Sequence, residues 1–124
     1  MLIEIDFNSP QAIYVQLRNQ IVMGIAQEEL HDGDSLPSVR NLANTLGVNM
    51  HTVNKAYAML RSEGYLILDR RKGAIIQVEV SNKDTEIEKI NHNMRMVVAQ
   101  AICKGISREE MHAVIDEMYD YILG

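Results

Sequence analysis

Gly47 stands between two short segments that can each bury only one face, and this arrangement constrains the fold of residues 36–57 more than any other feature. Pro37 and Ser38 open the first segment, with Ser38 placed to accept a hydrogen bond from the first free amides of a helix. Leu42, Ala43 and Leu46 give that helix a single apolar face. Gly47 supplies the backbone freedom for a sharp turn, and Val48 points back into the core. Asn49 caps a second helix, whose apolar stripe is Val53, Ala56, Tyr57 and Leu60. At about 100° per residue, His51, Lys55, Ala58 and Ser62 lie on the opposite face, with Thr52 and Asn54 on its shoulders. Two helices joined this way form a helix-turn-helix, which presents a small, polar, positive face to the DNA major groove.

The residues after this motif extend the same reading. Glu63-Gly64 stops the second helix, with Gly64 in the position that favours a left-handed backbone. Residues 65–69 and 75–80 read as strands. Between them Arg70-Arg71-Lys72-Gly73 forms a basic hairpin tip ending in a glycine suited to positive φ. A helix-turn-helix followed by a basic hairpin is a winged helix.

A net charge of −5 argues against DNA binding until its distribution is considered. Between Leu36 and Ile75 six basic residues (Arg40, Lys55, Arg61, Arg70, Arg71, Lys72) face only Glu63 and Asp69, a local balance of +4. Acidic charge gathers at Glu28, Glu29, Asp32 and Asp34 and in the last third of the chain. A basic face on an acidic body still binds phosphate, and the body limits nonspecific adhesion.

The 124 residues divide by pattern into a winged-helix domain over 1–80 and a helical-hairpin dimerisation region over 81–124, a mainly α fold with one small β-hairpin. The N-terminal part begins with a short extended stretch from Met1, after which Ser9-Pro10 is expected to start a long helix. Ile13, Leu17, Ile21 and Ile25 form its stripe; it is expected to end near Glu28-Glu29, before a turn at His31-Asp32-Gly33-Asp34.

In the C-terminal part, Ser81-Asn82-Lys83-Asp84 reads as a polar linker. Thr85-Glu86-Ile87-Glu88 and Ser107-Arg108-Glu109-Glu110 both resemble capping boxes, and Gly105 separates two helices of roughly 16 to 20 residues. Ile87, Ile90, Met94, Val97, Val98, Ala101 and Ile102 line one face of the first helix. Met111, Val114, Ile115, Met118 and Ile122 line the second. Met96, Ala99 and Cys103 make a smaller apolar strip on the far side. A lone hairpin cannot bury two apolar sides, so a second copy of the chain is expected to cover it.

Four sets of residues carry a family resemblance: Ala12-Ile13-Tyr14-Val15-Gln16-Leu17; the run from Gly33 to Arg40; Val48-Asn49 with Thr52-Val53 and Lys55-Ala56-Tyr57; and Leu60 with Glu63-Gly64-Tyr65. Over residues 9–78 the chain resembles the GntR superfamily of bacterial transcription regulators, and its short C-terminal region is similar to the YtrA-like branch. That resemblance implies a homodimeric repressor bound to an inverted-repeat operator in double-stranded DNA, with two C-terminal helices making the dimer. Carried over by position, it implies DNA contact by Arg40, by Asn49, His51, Thr52 and Lys55, and by the wing around Arg71, Lys72 and Gly73. The chain departs from the branch at Met50-His51, where Pro-Asn is usual, and at Ala74, where threonine is common. His51 in place of an amide implies a different operator sequence.

The expected DNA-contacting set is therefore Ser38, Arg40, Asn49, His51, Thr52, Asn54, Lys55, Arg70, Arg71, Lys72 and Gly73. The plainer reading makes Arg40 a surface ion pair, Lys55 and His51 solvated side chains, and the tip a solubilising charge cluster. Tyr57 belongs to the core, and Tyr14 to core or interface. The histidines 31, 51, 92 and 112 lack metal-ligand spacing, and no cofactor is expected. Cys103 is a lone thiol, which excludes an internal disulfide. No acid/base pair, nucleophile constellation or phosphate-cradling loop suggests an enzyme. No apolar window approaches ~18 residues and the N-terminus lacks signal-peptide character, so a cytoplasmic protein without membrane contact is expected. The alternative is a winged helix used only as a protein-interaction module, which gives no reason for the +4 focus. The sequence names no small-molecule effector.

Overall fold

The computed structural model describes residues 2–80 and 82–124. Met1 of the extended stretch and Ser81 of the linker lie outside the described residues. The chain forms two compact units that divide between Glu79 and Val80, one residue before the expected boundary.

The first unit is built on three helices, α1 (Ile13–Ala26), α2 (Val39–Leu46) and α3 (Met50–Ser62), followed by strands β1 (Leu66–Asp69) and β2 (Gly73–Ile76). Leu17 and Ile21 of α1, Val53, Ala56 and Leu60 of α3, and Ile76 of β2 are completely buried and form one core with Leu36, Leu42, Ala43, Tyr57, Leu66 and Ala74. The apolar stripes read from helical spacing thus meet in a single cluster.

Helix α1 starts later than Pro10. Its N-cap is Ala12, and Pro10 lies in a turn where Ser9 Oγ accepts from the Gln11 amide. The cause is Gln16, a buried polar side chain. Its Oε1 accepts from the Asp6 amide at 2.9 Å, and its Nε2 donates to the carbonyls of Asp6 and Gln11 at 3.0 and 2.9 Å. These bonds hold residues 6–11 in a loop and outweigh the local helix-starting preference of proline. Gln20 continues the clamp through the backbone of Glu4. The far end also differs: α1 stops at Ala26, the Gly24 carbonyl accepts from Glu29 and Leu30, and Glu28 takes φ 62°.

The α2–turn–α3 motif follows the sequence closely. Ser38 Oγ accepts from the Asn41 amide, Gly47 adopts φ 70°, and Asn49 Oδ1 accepts from the His51 amide at 2.7 Å. Gly64 follows the C-cap Glu63 with φ 84°.

Tyr57, 4% exposed, also donates its hydroxyl to the Pro37 carbonyl at 2.8 Å, tying α3 to the entrance of α2. Burial pushes its phenol up from 10.0 to about 12. The folded state therefore keeps the proton while the unfolded chain releases it, so this contribution is complete below pH 10.0 and is lost as the pH rises through about 12. Tyr57→Phe is expected to cost about 0.5–1.5 kcal/mol at neutral pH. It should also remove this alkaline dependence, which urea melts across that pH range would measure.

The wing differs from expectation at its strand limits. Tyr65 precedes β1, and β2 covers Gly73–Ile76 instead of 75–80. Asp69 pairs with Gly73, so Gly73 opens a strand and the tip is Arg70-Arg71-Lys72 alone. Asp69 Oδ1 accepts from the amides of Arg71 and Lys72 at 2.8 and 3.0 Å, and Gly73 closes the turn at φ 77°. Residues 34–36 flank β2 as a third extended segment: Ser35 bridges Ile75, and Leu36 donates to the Ala74 carbonyl at 2.8 Å.

The second unit contains α4 (Lys83–Cys103) and α5 (Arg108–Leu123). Helix α4 begins before the expected box at Thr85. Asn82 is its cap, accepting from the amides of Asp84 and Thr85, so Lys83 and Asp84 of the expected linker are helical. Ser107 and Glu110 form the capping box of α5, after Gly105 with φ 77°. The two helices pack loosely. Among the described residues of this unit Ala101 is the one buried side chain, while Met94, Met111, Ile115 and Ile122 are half-buried. Ile87, Ile90, Val97, Val98, Val114 and Met118 are exposed.

Candidate nucleic-acid interface

The first residues of α2 and α3, Val39 and Met50, line one open depression of about 630 Å3 together with Asn49, His51 and Asn54. Both helices therefore direct their N-termini at the same surface. Each N-terminus carries partial positive charge from amides without intrahelical partners. The caps satisfy only some of them: Ser38 takes the Asn41 amide and Asn49 takes the His51 amide. What remains is a shallow, largely apolar depression bordered by Asn49, His51 and Asn54 and by the uncapped first amides of both helices, groups that can reach phosphate oxygens and the edges of bases.

Of the residues singled out in the sequence, Asn49, His51 and Asn54 are exposed and converge on this depression. Ser38 is exposed and acts as a cap. Thr52 is half-buried on the shoulder of α3. Arg40 is the second residue of α2, inside its first turn; it is exposed and takes part in none of the ion pairs among the described residues. Met50 begins α3 without the rigidity of a proline, and the Asn49 cap fixes the first turn in its place.

Arg70, Arg71 and Lys72 are exposed at the wing tip. Their backbone direction is set by Asp69, which sequence counting treats only as an opposing charge. The amide hydrogen bonds from Lys72 and Arg71 hold its carboxyl below the ordinary carboxylate range. The contribution to tip order is therefore present above that range and is lost as acid protonates the group. The pattern of an aspartate two and three residues before bonded amides is a recognisable turn signal.

Glu63, the other opposing charge, is also committed. Arg18 of α1 grips it with Nε at 2.8 Å and a second nitrogen at 3.0 Å, and stacks over the Tyr65 ring at 5.7 Å. The hydrogen bond to Glu63 raises the Arg18 guanidinium against the opposing effect of burial. The carboxylates inside the basic segment thus serve the scaffold. Lys55 has a neighbour that no local pattern shows, the ring of Tyr14, with Nζ 4.1 Å from its centroid.

Among the described residues, no group of histidine, cysteine, aspartate or glutamate side chains is placed to hold a metal ion. No helix among them is long and apolar enough to cross a membrane.

The model of the bacterial regulatory proteins of the gntR family matches residues 12–76, which hold the three helices and the wing. Over 121 residues the chain is 31% identical to the HTH-type transcriptional repressor YtrA of Bacillus subtilis (strain 168), spanning 94% of this chain and 92% of that protein. A transcriptional antiterminator from Listeria monocytogenes EGD-e has the same fold, with a TM-score of 0.88 at 25% identity over 100% of this chain and 94% of its own. The DNA-binding domain of AraR in complex with operator ORX1 aligns with a TM-score of 0.53 at 26% identity, over 60% of this chain and 96% of that one.

Proposed function

The chain belongs to the GntR family and is a DNA-binding transcription regulator, and from that premise we propose that it is a homodimeric, cytoplasmic repressor that reads an inverted-repeat operator. The observation that carries this reading is the convergence of the α2 and α3 N-termini on one exposed depression where Asn49, His51 and Asn54 meet. In each subunit His51, Thr52, Asn54 and Lys55 enter a major groove. Ser38, Asn49 and Arg40 engage the phosphates at its edge, and Arg70, Arg71, Lys72 and Gly73 lie beside it. The relative whose name marks it as a repressor matches nearly the whole chain, which supports repression.

The dimer is supported by the second unit. Its helices expose Ile87, Ile90, Val97, Val98, Val114 and Met118 and bury almost nothing between themselves. A unit this small needs a partner to gain a core. A second copy packed on these faces, with Met94, Ala101, Met111, Ile115 and Ile122 inside, supplies one.

Titration of a labelled duplex at increasing salt tests the DNA mode. Affinity should fall steeply with salt, and Arg40→Ala or Lys55→Ala should weaken binding to every sequence and lower the salt slope by about one. His51→Ala should instead alter preference at one half-site position, by about 1–3 kcal/mol. Affinity indifferent to salt between low and physiological concentrations contradicts the proposal.

A further inference from the structure

An exposed lysine on a recognition helix ordinarily samples many rotamers, and ordering one of them on DNA costs entropy. In the structure Lys55 takes one of them, against an aromatic ring. Its ammonium sits 4.1 Å from the centre of the Tyr14 ring, against the electron-rich face. Tyr14 is itself held, half-buried in α1 and packed against the core. Lys55 joins none of the ion pairs among the described residues, so the ring is the group that sets its direction. The aromatic face covers one side of the ammonium and leaves N–H donors on the other side for an acceptor.

We infer that Tyr14 is a positioning residue for DNA binding, its ring holding the Lys55 ammonium ready for one phosphate at the flank of α3. This rests on the proposed approach of α3 to the duplex. The contact is not needed to join the two helices, because Leu17 and Ile21 of α1 already share one buried core with Val53 and Leu60 of α3. Its use is preorganisation: part of the ordering cost is met before the phosphate arrives.

The test uses the full chain and a labelled mixed-sequence duplex, titrated from low to physiological salt. Tyr14→Met, which keeps bulk but loses the π face, should weaken binding by about two- to fivefold and lower the salt slope towards that of Lys55→Ala. Tyr14→Phe keeps the face and should bind like the parent. In a Lys55→Ala background, Tyr14→Met should cause no further loss. An equal loss with and without Lys55, or tighter binding by Tyr14→Met, would overturn the inference. In the unmodified protein the Lys55 side-chain methylene protons should show upfield ring-current shifts by NMR, and normal shifts would overturn it independently of any variant. If the parent binds and Arg40→Ala weakens it while the Tyr14 variants do not, this inference alone fails. If the parent shows no salt-dependent binding, the DNA mode fails and takes this inference with it.

Discussion

A chain ending at Val80 is expected to sediment as a monomer and to bind operator DNA about 10²- to 10⁴-fold more weakly than the full chain. The first unit should survive the cut, because its core is drawn entirely from residues before the boundary. What the cut removes is the proposed link between two such units. Once one winged helix has bound, the second half-site is met at an effective concentration set by the link, and without it each half-site is met from bulk solution. Sedimentation and duplex titration of the shortened chain measure both effects. A dimer that persists would remove α4 and α5 from the assembly. A full-length Val97→Asp variant gives the same answer without truncation, since a carboxylate on an exposed helix matters little to a monomer and a great deal inside an interface.

Leu60→Ala should produce the largest loss of stability, about 2–5 kcal/mol in chemical denaturation. Leu60 of α3 is fully buried and shares one cluster with Leu17 and Ile21 of α1, Leu66 of β1 and Ile76 of β2. The cavity left behind would be lined by residues of three different elements, each anchored elsewhere, so collapse could fill little of it. A loss below about 1 kcal/mol would mean that the core repacks easily. DNA affinity should fall only in proportion to the unfolded fraction, whereas His51→Ala should change sequence preference with no loss of stability. The two variants separate scaffold from contact surface.

The parts legible in the sequence are those governed by neighbouring residues. Ser38, Gly47 and Asn49 fix the ends of α2 and α3 through bonds that span two to four residues. The Ser107 capping box works at the same range. Structure and sequence part where distant groups compete. Pro10 favours a helix start, but Gln16 holds the loop before it open. Residues 34–36 are too short and polar to read as a strand, yet their backbone pairs with the wing. Strand-like residues continue past Ile76 as far as Val80, yet β2 ends at Ile76. Beyond it the amides of Gln77 and Glu79 still donate to the carbonyls of Tyr65 and Gly64, but Tyr65 gives its own amide to Leu60, so the reciprocal bonds of a ladder are missing.

The candidate site divides the same way. Helical spacing alone places His51 and Lys55 on one exposed face, and charge alone marks the wing tip. The partners of those groups lie far along the chain. Arg18 meets Glu63, and Tyr14 meets Lys55, only after α1 packs on α3. No periodicity within either segment encodes such a pairing.

Hydroxyl-radical footprinting of the full chain on the DNA flanking its own gene tests the central claim most directly. Two protected half-sites of opposite orientation, centred about one helical turn apart, are the expected result. Protection should fade as salt rises, and the His51→Ala variant should shift the preferred base at the same position in both halves. A single unpaired footprint, or protection that ignores both salt and His51, would contradict a dimer that reads DNA through α3 and the wing.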